Sequence, residues 1–143
     1  LILSLSEVRD LVKLAPAALT FIRRFVGSSD GIDGSLRYCL WIRDEDLKRV
    51  EEIGAISSRI RSVERFRSQS TKKATVASSK WAYKFQEIRQ LGNEVPVIIP
   101  RHSSESRDYL PFVLGEAGTI VADSAFAFYN PELWNVALLA SRL

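Results

Sequence analysis

The sequence of 143 residues contains no methionine, one cysteine and one histidine. Because disulfide frameworks and zinc sites need several such residues, Cys39 and His102 alone exclude both. The sequence also lacks an apolar run of about 18 residues, which a membrane-spanning helix requires, and its apolar opening has no basic leader. We therefore expect no disulfide, no metal ligands, no membrane span and no secretory signal.

Hydrophobic residues make up 46% of the sequence and charged residues 26%, which is the balance of an ordinary soluble domain. A chain of this size buries roughly two-thirds of its unfolded surface, so residues 1–143 are predicted to form a single domain. The sequence does not begin with methionine, and the helical pattern of residues 133–143 runs to its last residue. We therefore expect a fragment of a larger protein.

The first third of the sequence begins with a helical pattern. Apolar spacing indicates helix over the first 26 residues, starting near Ser6, with Pro16 in the first turn of a second helix. Residues 27–35 carry three of the seven glycines and are predicted to form a loop. Residues 36–42 have the length and composition of a strand.

Two further helices are predicted between residues 44 and 68. Asp44 is expected to cap a short helix that runs through Ile53. The negative charges of Glu45 and Asp46 would interact favourably with the positive N-terminal end of the helix dipole. The second helix is amphipathic, with an apolar stripe of Ile56, Ile60, Val63 and Phe66 and a basic face of Arg59, Arg61, Arg65 and Arg67. Residues 68–79 lose this periodicity and are predicted to form a mobile loop.

From Val95 onward the pattern changes to that of strands. Four short runs rich in β-branched or aromatic residues are separated by polar turns, at residues 95–100, 108–114, 119–123 and 125–129. A closing amphipathic helix starts at Leu133. The order predicts an α+β fold, with N-terminal helices, a small, mostly antiparallel sheet and a C-terminal helix.

Positive charge is concentrated in one part of the chain. Residues 59–89 include nine basic and two acidic side chains, a local charge of +7, so the rest of the +3 chain sums to −4. A concentrated basic patch engages phosphates by releasing counterions. The candidates for DNA backbone contacts are Arg65, Lys72, Lys73, Lys80 and Lys84. A basic face that is merely solvated is the alternative.

Aromatic residues alternate within the same segment. Trp81, Tyr83 and Phe85 could stack on bases, as aromatic side chains do in proteins that bind nucleic acids. Their spacing of two fits a half-buried extended segment equally well. Both interpretations stay open at the level of sequence.

A second polar segment lies between two predicted strands. The stretch from Pro100 to Tyr109 is dense in groups that donate to phosphates or base edges. Glu105 would hold an arginine in place or accept from a cytosine amine. Together with two residues before the strand, the candidates for reading DNA bases are Arg101, His102, Ser103, Ser104, Glu105, Arg107, Arg89 and Gln90. A polar hairpin loop that pairs with itself is the alternative.

No catalytic residues are predicted. Asn130–Leu133 matches the Asn-Pro-Pro-aromatic motif of DNA amino-methyltransferases only in its first two positions, and a strand end with Pro131 in the first turn of a helix explains the same residues. His102 and Ser103 are residue types of a hydrolase site, but adjacent side chains point in different directions. Cys39 is expected to be a buried core residue. No glycine-rich loop follows a predicted strand, so no nucleotide or S-adenosylmethionine site is expected.

Five segments in a fixed order resemble the target-recognition domain of MmeI-like enzymes. They are residues 37–46 (RYCLWIRDED), 85–90 (FQEIRQ), 98–111 (IIPRHSSESRDYLP), 121–126 (VADSAF) and 132–143 (ELWNVALLASRL), and the entry segment 21–34 (FIRRFVGSSDGIDG) extends the resemblance over nearly the whole chain. These enzymes are large single-chain restriction-modification proteins, similar to type IIG and type IIL systems. They join a nuclease, an adenine N6-methyltransferase and a DNA-reading domain.

The resemblance implies a module that recognises specific double-stranded DNA for an adenine N6 DNA methyltransferase, fused to an endonuclease, in the bacterial cytoplasm. The chain alone would catalyse nothing. S-adenosylmethionine would be bound upstream, in the methyltransferase domain of the same parent chain. The family's serine-rich hairpin typically has arginine where this chain has Ser106, so a phosphate contact there is expected to be weaker or absent. A non-catalytic protein-interaction module with a basic face is the alternative.

Overall fold

A computed structural model describes residues 1–30 and 34–141 of the chain. It contains helices, small and mostly antiparallel sheets and a C-terminal helix, which confirms the predicted α+β class. The chain divides into two compact units, unit 1 with Leu1–Ile22 and Tyr38–Arg89, and unit 2 with Arg23–Arg37 and Gln90–Leu143. Each unit uses two separate stretches of chain, so the division does not follow a linker. The single domain over residues 1–143 stays a prediction.

The N-terminal segment is less helical than its spacing suggests. It forms strand β1 (Ile2–Ser4), helix α1 (Leu5–Leu14), a 3₁₀ helix (Pro16–Phe21) and strand β2 (Ile22–Val26). The prediction of helix over the first 26 residues is therefore wrong at both ends. Buried Ile22 and Phe25 belong to a strand instead, which suits their β-branched and aromatic side chains. Pro16 does lie in the first turn of the 3₁₀ helix.

Helix α1 starts from Ser4 and not from the predicted Ser6. The Ser4 hydroxyl accepts from the Glu7 backbone N–H at 3.3 Å, and the Glu7 carboxylate accepts from the Ser4 backbone N–H at 2.8 Å. This reciprocal capping box satisfies two backbone donors that the first turn leaves without partners. Arg59 from a distant helix donates to the same carboxylate at 2.9 Å.

The rest of unit 1, together with Arg37 at the start of β3, consists of one long helix and several short elements. They are strand β3 (Arg37–Leu40), a 3₁₀ helix (Asp44–Asp46), helix α2 (Leu47–Glu51), helix α3 (Gly54–Ser68), helix α4 (Lys73–Ala77) and a second 3₁₀ helix (Ser78–Trp81). Strand β3 lies beside β1 and contains Cys39, which is buried as predicted. The core of the unit consists of Leu3, Ala18, Phe21, Ile22, Leu40, Ile42, Val50 and Ile56.

The apolar stripe of α3 ends differently from the prediction. Ile56 is fully buried and Ile60 packs against the core, but Phe66 is 76% exposed. The buried face continues instead from Val63 to Arg67, which is four residues later and therefore lies on the same side of the helix. The predicted apolar stripe is therefore wrong at Phe66, because Arg67 lies on the buried face instead.

Unit 2 contains two sets of paired strands. Strand β2 runs parallel to β6 (Ile120–Val121), with Phe25 opposite Ile120. A three-stranded antiparallel sheet has β4 (Pro96–Pro100) between β5 (Val113–Leu114) and β7 (Ala125–Tyr129). All four predicted strand runs therefore contain a strand, although the second and third are shorter than predicted.

The alternation of side chains gives the three-stranded sheet two different faces. Ile98 and Ala125 lie on the inner face and form a core cluster with Val26. Ile99 is opposite Phe126, and Val97 is opposite Phe128, in the β4–β7 ladder. Because successive side chains point to opposite faces, Phe126 and Phe128 share the outer face, where both are exposed.

The chain leaves β7 through a short connection to helix α5 (Leu133–Leu139). Asn130 has a positive φ of 49°, and its side-chain oxygen accepts from the Val95 backbone N–H at 3.0 Å. Glu132 is the N-cap of α5, so Pro131 precedes the helix and does not lie in its first turn as predicted. The last two residues of the predicted closing helix and positions 31–33 of the predicted loop lie outside the described residues.

The capping box makes a pH-dependent contribution to stability. The hydrogen bond from the Ser4 backbone, followed by the one from Arg59, lowers the pKa of Glu7 from 4.5 to about 2. A carboxyl group with a lowered folded-state pKa stabilises the fold above its unfolded pKa and loses that effect as the pH falls through the folded value. We expect Glu7→Gln to be less stable than the wild type at neutral pH, with the difference shrinking between about pH 4.5 and pH 2.

The measurement is urea unfolding of both proteins across this pH range. Glu64→Gln is the matched control, since Glu64 is an exposed glutamate on α3 without a described partner. A Glu7→Gln effect that is independent of pH, or equal to that of Glu64→Gln, would contradict the assignment.

Candidate nucleic-acid interface

The nine basic residues between positions 59 and 89 fall into two groups. Arg59, Arg67, Lys84 and Arg89 have protein partners. The others are exposed and form no ion pair with the described residues: Arg61, Arg65, Lys72, Lys73 and Lys80. This second group lies between the middle of α3 and the second 3₁₀ helix, and we call it the free cation group.

Arg67 is buried and has no carboxylate partner. Its Nη1 donates to the backbone oxygens of Ser78 at 3.1 Å and Trp81 at 3.3 Å, and its Nη2 donates to that of Lys84 at 2.8 Å. Burial lowers the pKa of Arg67. The prediction that Arg67 belongs to the basic face of the helix is wrong, because its buried guanidinium connects the chain after α4 to helix α3.

The segment for which the sequence predicts a mobile loop is largely helical. Residues 68–79 include α4 and the start of the second 3₁₀ helix. The Ser78 hydroxyl donates to the Thr75 carbonyl at 2.6 Å and accepts from the Gln86 amide at 2.8 Å. These contacts, together with Arg67, fix a segment that lacks apolar periodicity. Lys72, Lys73 and Lys80 are therefore presented from ordered backbone.

Lys84 is in a different position from the other predicted backbone contacts. Its ammonium pairs with the carboxylate of Asp44, which also accepts from the Tyr83 hydroxyl at 2.6 Å. The hydrogen bond from Lys84, followed by that from Tyr83, lowers the pKa of Asp44. Asp44 makes no side-chain cap, so its predicted capping role is wrong. The charge of Lys84 is already matched within the protein.

The three alternating aromatic residues do not form an extended segment. Trp81 ends the second 3₁₀ helix, and Tyr83 lies in the turn that follows. Tyr83 is held by Asp44, and the ring of Phe85 lies 6.3 Å from that of Trp41. The extended interpretation is wrong, and Trp81, which is 40% exposed, is the most accessible of the three for stacking.

The second candidate segment is a hairpin loop between β4 and β5. Val97 is opposite Leu114 and Ile98 is opposite Val113, so the predicted hairpin is confirmed. Every residue from 101 to 109 is exposed. The Ser104 and Ser106 hydroxyls lie 2.7 Å apart, and the Arg107 backbone N–H donates to the Ser104 carbonyl at 3.3 Å. The side chains of His102, Ser103, Glu105 and Arg107 extend from this turn into solvent.

Arg101 is the exception within the hairpin. Its guanidinium carbon lies 5.4 Å from the centre of the Phe126 ring, and its backbone N–H donates to the Ser28 hydroxyl at 3.3 Å. Sequence reasoning missed Phe126. Its alternation with Phe128 in a predicted strand was the available signal, since one face of a small sheet is often exposed.

The two candidates before β4 behave differently. Arg89 is exposed and donates to Glu87 at 2.8 and 2.5 Å. Gln90 is buried, and its amide bonds three protein groups: the Thr119 carbonyl, the Val121 backbone N–H and the Tyr129 hydroxyl. A base edge cannot reach an amide that is buried and already engaged. The structure therefore makes Gln90 a clamp between β6 and β7 rather than a base-reading residue.

The glycine-containing loop does follow a strand, contrary to expectation, because β2 ends at Val26. In its described part the Asp30 carboxylate accepts from the Gly27 backbone N–H at 2.6 Å and from Arg37 at 2.7 Å. Burial raises the pKa of Asp30, but the hydrogen bonds from Arg37 and Gly27 outweigh it, and the pKa is lowered. The Gly27 backbone N–H is therefore already engaged by a carboxylate of the loop itself.

The acidic run Asp44–Asp46 is engaged by basic side chains. Arg43 pairs with Glu45 at 2.9 Å and with Asp46 at 3.2 Å, and Arg49 also pairs with Asp46 at 3.2 Å. Within residues 1–30 and 34–141, no group of three or more His, Cys, Asp or Glu side chains is arranged to hold a metal ion. No helix in these ranges has the length and apolar character to cross a membrane.

Comparison with known proteins gives three consistent matches. The family model described as MmeI, target recognition domain, matches residues 1–143. DNA methyltransferase A of Bacillus subtilis (strain 168) is 29% identical over 143 residues, which are 100% of this chain and 16% of that protein. The structure of the type IIL restriction-modification enzyme MmeI in complex with DNA matches with a TM-score of 0.87 and 27% identity, over 98% of this chain and 19% of that one. The chain spans less than a fifth of either protein.

The contacts of Arg67 predict that removing its guanidinium destabilises the segment after α4. Arg67→Met keeps the apolar stem but leaves three backbone oxygens without donors. We expect a loss of about 2–4 kcal/mol in the free energy of unfolding, since hydrogen bonds to charged groups contribute roughly 1.5–3 kcal/mol each and are not additive. Tryptic cleavage at Lys72, Lys73 and Lys80 should also become faster.

Arg65→Met is the matched control, because Arg65 is exposed on the same helix. Urea unfolding and timed trypsin digestion measure the two effects. If Arg67→Met changed neither stability nor cleavage more than Arg65→Met, the clamp would not exist in solution.

Proposed function

Since the chain belongs to the MmeI target recognition domain family, we propose that it recognises double-stranded DNA and directs an adenine N6 DNA methyltransferase to a specific sequence. The observation that carries this proposal is the likeness, over 98% of the chain, to an enzyme solved in complex with DNA. The resemblance noted in the sequence is confirmed by the family match. The protein-interaction alternative has no comparable support.

In this proposal unit 1 holds the DNA backbone. The free cation group supplies charges that no carboxylate of the described residues neutralises. Such charges gain affinity by releasing condensed counterions, independently of sequence. Arg65, Lys72, Lys73 and Lys80 are the proposed phosphate contacts. Lys84 contributes less, because releasing it from Asp44 has an electrostatic cost.

Unit 2 would supply the base contacts. Backbone contacts fix register, whereas sequence is read at base edges in the grooves. The exposed hairpin side chains Arg101, His102, Ser103, Ser104, Glu105 and Arg107 are the proposed readers. Arg89, the last residue of unit 1, joins them when it leaves Glu87, with which it pairs on the surface. Surface ion pairs are weak enough for such an exchange.

The chemistry of the parent protein is also part of the proposal. We infer that methyl transfer from S-adenosylmethionine, and DNA cleavage, belong to domains outside this chain. The family description, which is that of a target recognition domain, supports this inference, as does the small share of each matched protein that the chain covers. The chain itself would act without a bound cofactor, in the cytoplasm of a bacterium.

The backbone assignment predicts a change in salt dependence. Replacing Lys72, Lys73 and Lys80 by Ala should weaken binding to all duplexes alike. The slope of log K against log salt concentration should become shallower by about 0.9 for each lost phosphate contact, or about 2.7 in total. Fluorescence anisotropy with a random-sequence duplex at several salt concentrations measures both quantities.

The matched control replaces Arg9, Lys13 and Lys48 by Ala, which removes the same charge from exposed positions of unit 1 outside the free cation group. Its slope should stay near that of the wild type. Equal slopes for the two triple variants would contradict the phosphate assignment and leave only a general charge effect.

The absence of catalysis is tested directly. The purified 143-residue chain, incubated with duplex DNA and radiolabelled S-adenosylmethionine, should transfer no methyl groups to adenine. An intact adenine methyltransferase serves as the positive control. Methyl transfer by the chain alone would show that it holds both the cofactor and the catalytic residues, against the proposal.

A further inference from the structure

The outer face of the three-stranded sheet carries an arginine that is held over an aromatic ring. Ile99 lies opposite Phe126 in the β4–β7 ladder, and Arg101 follows two residues later, on the same side of the chain. The guanidinium carbon of Arg101 lies 5.4 Å from the Phe126 ring centre. Phe126 is 56% exposed, so this pair lies at the surface.

The backbone of Arg101 is fixed as well. Its N–H donates to the Ser28 hydroxyl at 3.3 Å. Ser28 is held in turn, because its backbone N–H donates to the Ser124 hydroxyl at 3.3 Å and its own hydroxyl donates to the Ser124 carbonyl. Arg101 is therefore attached to the body of unit 2 at both its backbone and its guanidinium.

The following residues lack such attachments. From His102 to Arg107, the hydrogen bonds of the loop join members of the loop itself, such as Ser104 with Ser106. Within the described residues, Arg101 is thus the hairpin residue from 101 to 107 that is held by contacts outside the loop. A side chain that is already held in place loses less conformational freedom when it binds.

The donors of Arg101 are available. None of its guanidinium N–H groups donates to another described residue, and a contact with a ring face leaves the edge of the guanidinium open. The group that matches this planar fork in the major groove is guanine, through its O6 and N7 acceptors. A phosphate would accept the same fork, but an arginine held directly after the end of the central strand β4, by Ser28 and Phe126, suits a contact that must be reproducible in register.

We propose that Phe126 is a positioning residue, which holds Arg101 to read one guanine of the DNA target. This inference rests on the proposed function and adds a residue and a base to it. Phe126 acts through Arg101 and need not touch DNA. Removing the Phe126 ring should therefore alter the base preference at one base pair. Removing a structural or phosphate-binding side chain instead weakens binding to all DNA sequences alike.

The experiment selects sequences from a duplex library with a randomised core and then measures affinities for single-base variants of the selected site. Arg101→Lys keeps the charge but loses the fork, and should reduce the preference for one guanine at least about fivefold. Phe126→Leu should reduce the preference at the same position by about two- to fivefold, the range expected from an exposed cation–π contact. Phe126→Tyr, which keeps the ring, should restore it.

Phe128→Leu is the matched control. Phe128 is exposed on the same face of the same strand, and no cation lies over its ring among the described residues. It should leave the guanine preference unchanged. Thermal unfolding of each variant checks that Phe126→Leu and Phe128→Leu cost similar stability, so that a difference in preference does not arise from unfolding.

The outcomes separate this inference from the proposed function. If the wild type selects a site but Phe126→Leu keeps its guanine preference, or loses affinity uniformly, the positioning role is overturned and DNA recognition stands. If Arg101→Lys alters no base preference, the guanine contact is overturned. If the wild type enriches no sequence, the proposed function fails and this inference fails with it.

Discussion

In unit 1, the fold of the segment from Lys72 to Lys84 depends on one buried guanidinium. Arg67 replaces an apolar residue at the end of the inner face of α3, and its donors satisfy three carbonyls of the chain that returns beneath it. Removing an arginine from water is costly unless its N–H groups find acceptors, and here the acceptors are backbone oxygens. The segment from Lys72 to Lys84 is therefore folded against α3, although its sequence is polar and rich in serine, threonine and lysine.

The contacts of Arg67 also determine how the lysines of the free cation group are positioned. Lysines on a mobile loop would have to be ordered by DNA, at a cost in conformational entropy. In the structure Lys72, Lys73 and Lys80 belong to, or directly precede, short helices whose backbone is already fixed. A surplus of positive charge in the sequence thus becomes a defined arrangement of exposed charges.

In unit 2 a neutral side chain, that of Gln90, likewise connects separate parts of the backbone. Gln90 engages both ends of its amide with β6 and β7, while Arg101 is held by Ser28 and Phe126. The hydrogen-bonding groups of Gln90 are all used within the fold, whereas Arg101 is held in place with its guanidinium donors still available. Residue type alone does not distinguish them, because each could donate equally well to a base or to a backbone carbonyl.

Local patterns in the sequence determined the α+β class, the β4–β5 hairpin, the exposed polar loop between its strands and the burial of Cys39, because strand alternation and turn residues act over a few positions. The family resemblance is likewise a property of the sequence. Apart from Arg89, whose partner Glu87 is two positions away, tertiary structure decided which of the basic residues between 59 and 89 have partners. Arg59 meets Glu7 across 52 positions, and Tyr83 and Lys84 meet Asp44 across about 40. It also buried Gln90 and placed Arg101 on Phe126, since each partner comes from a separate stretch of chain that only folding brings near.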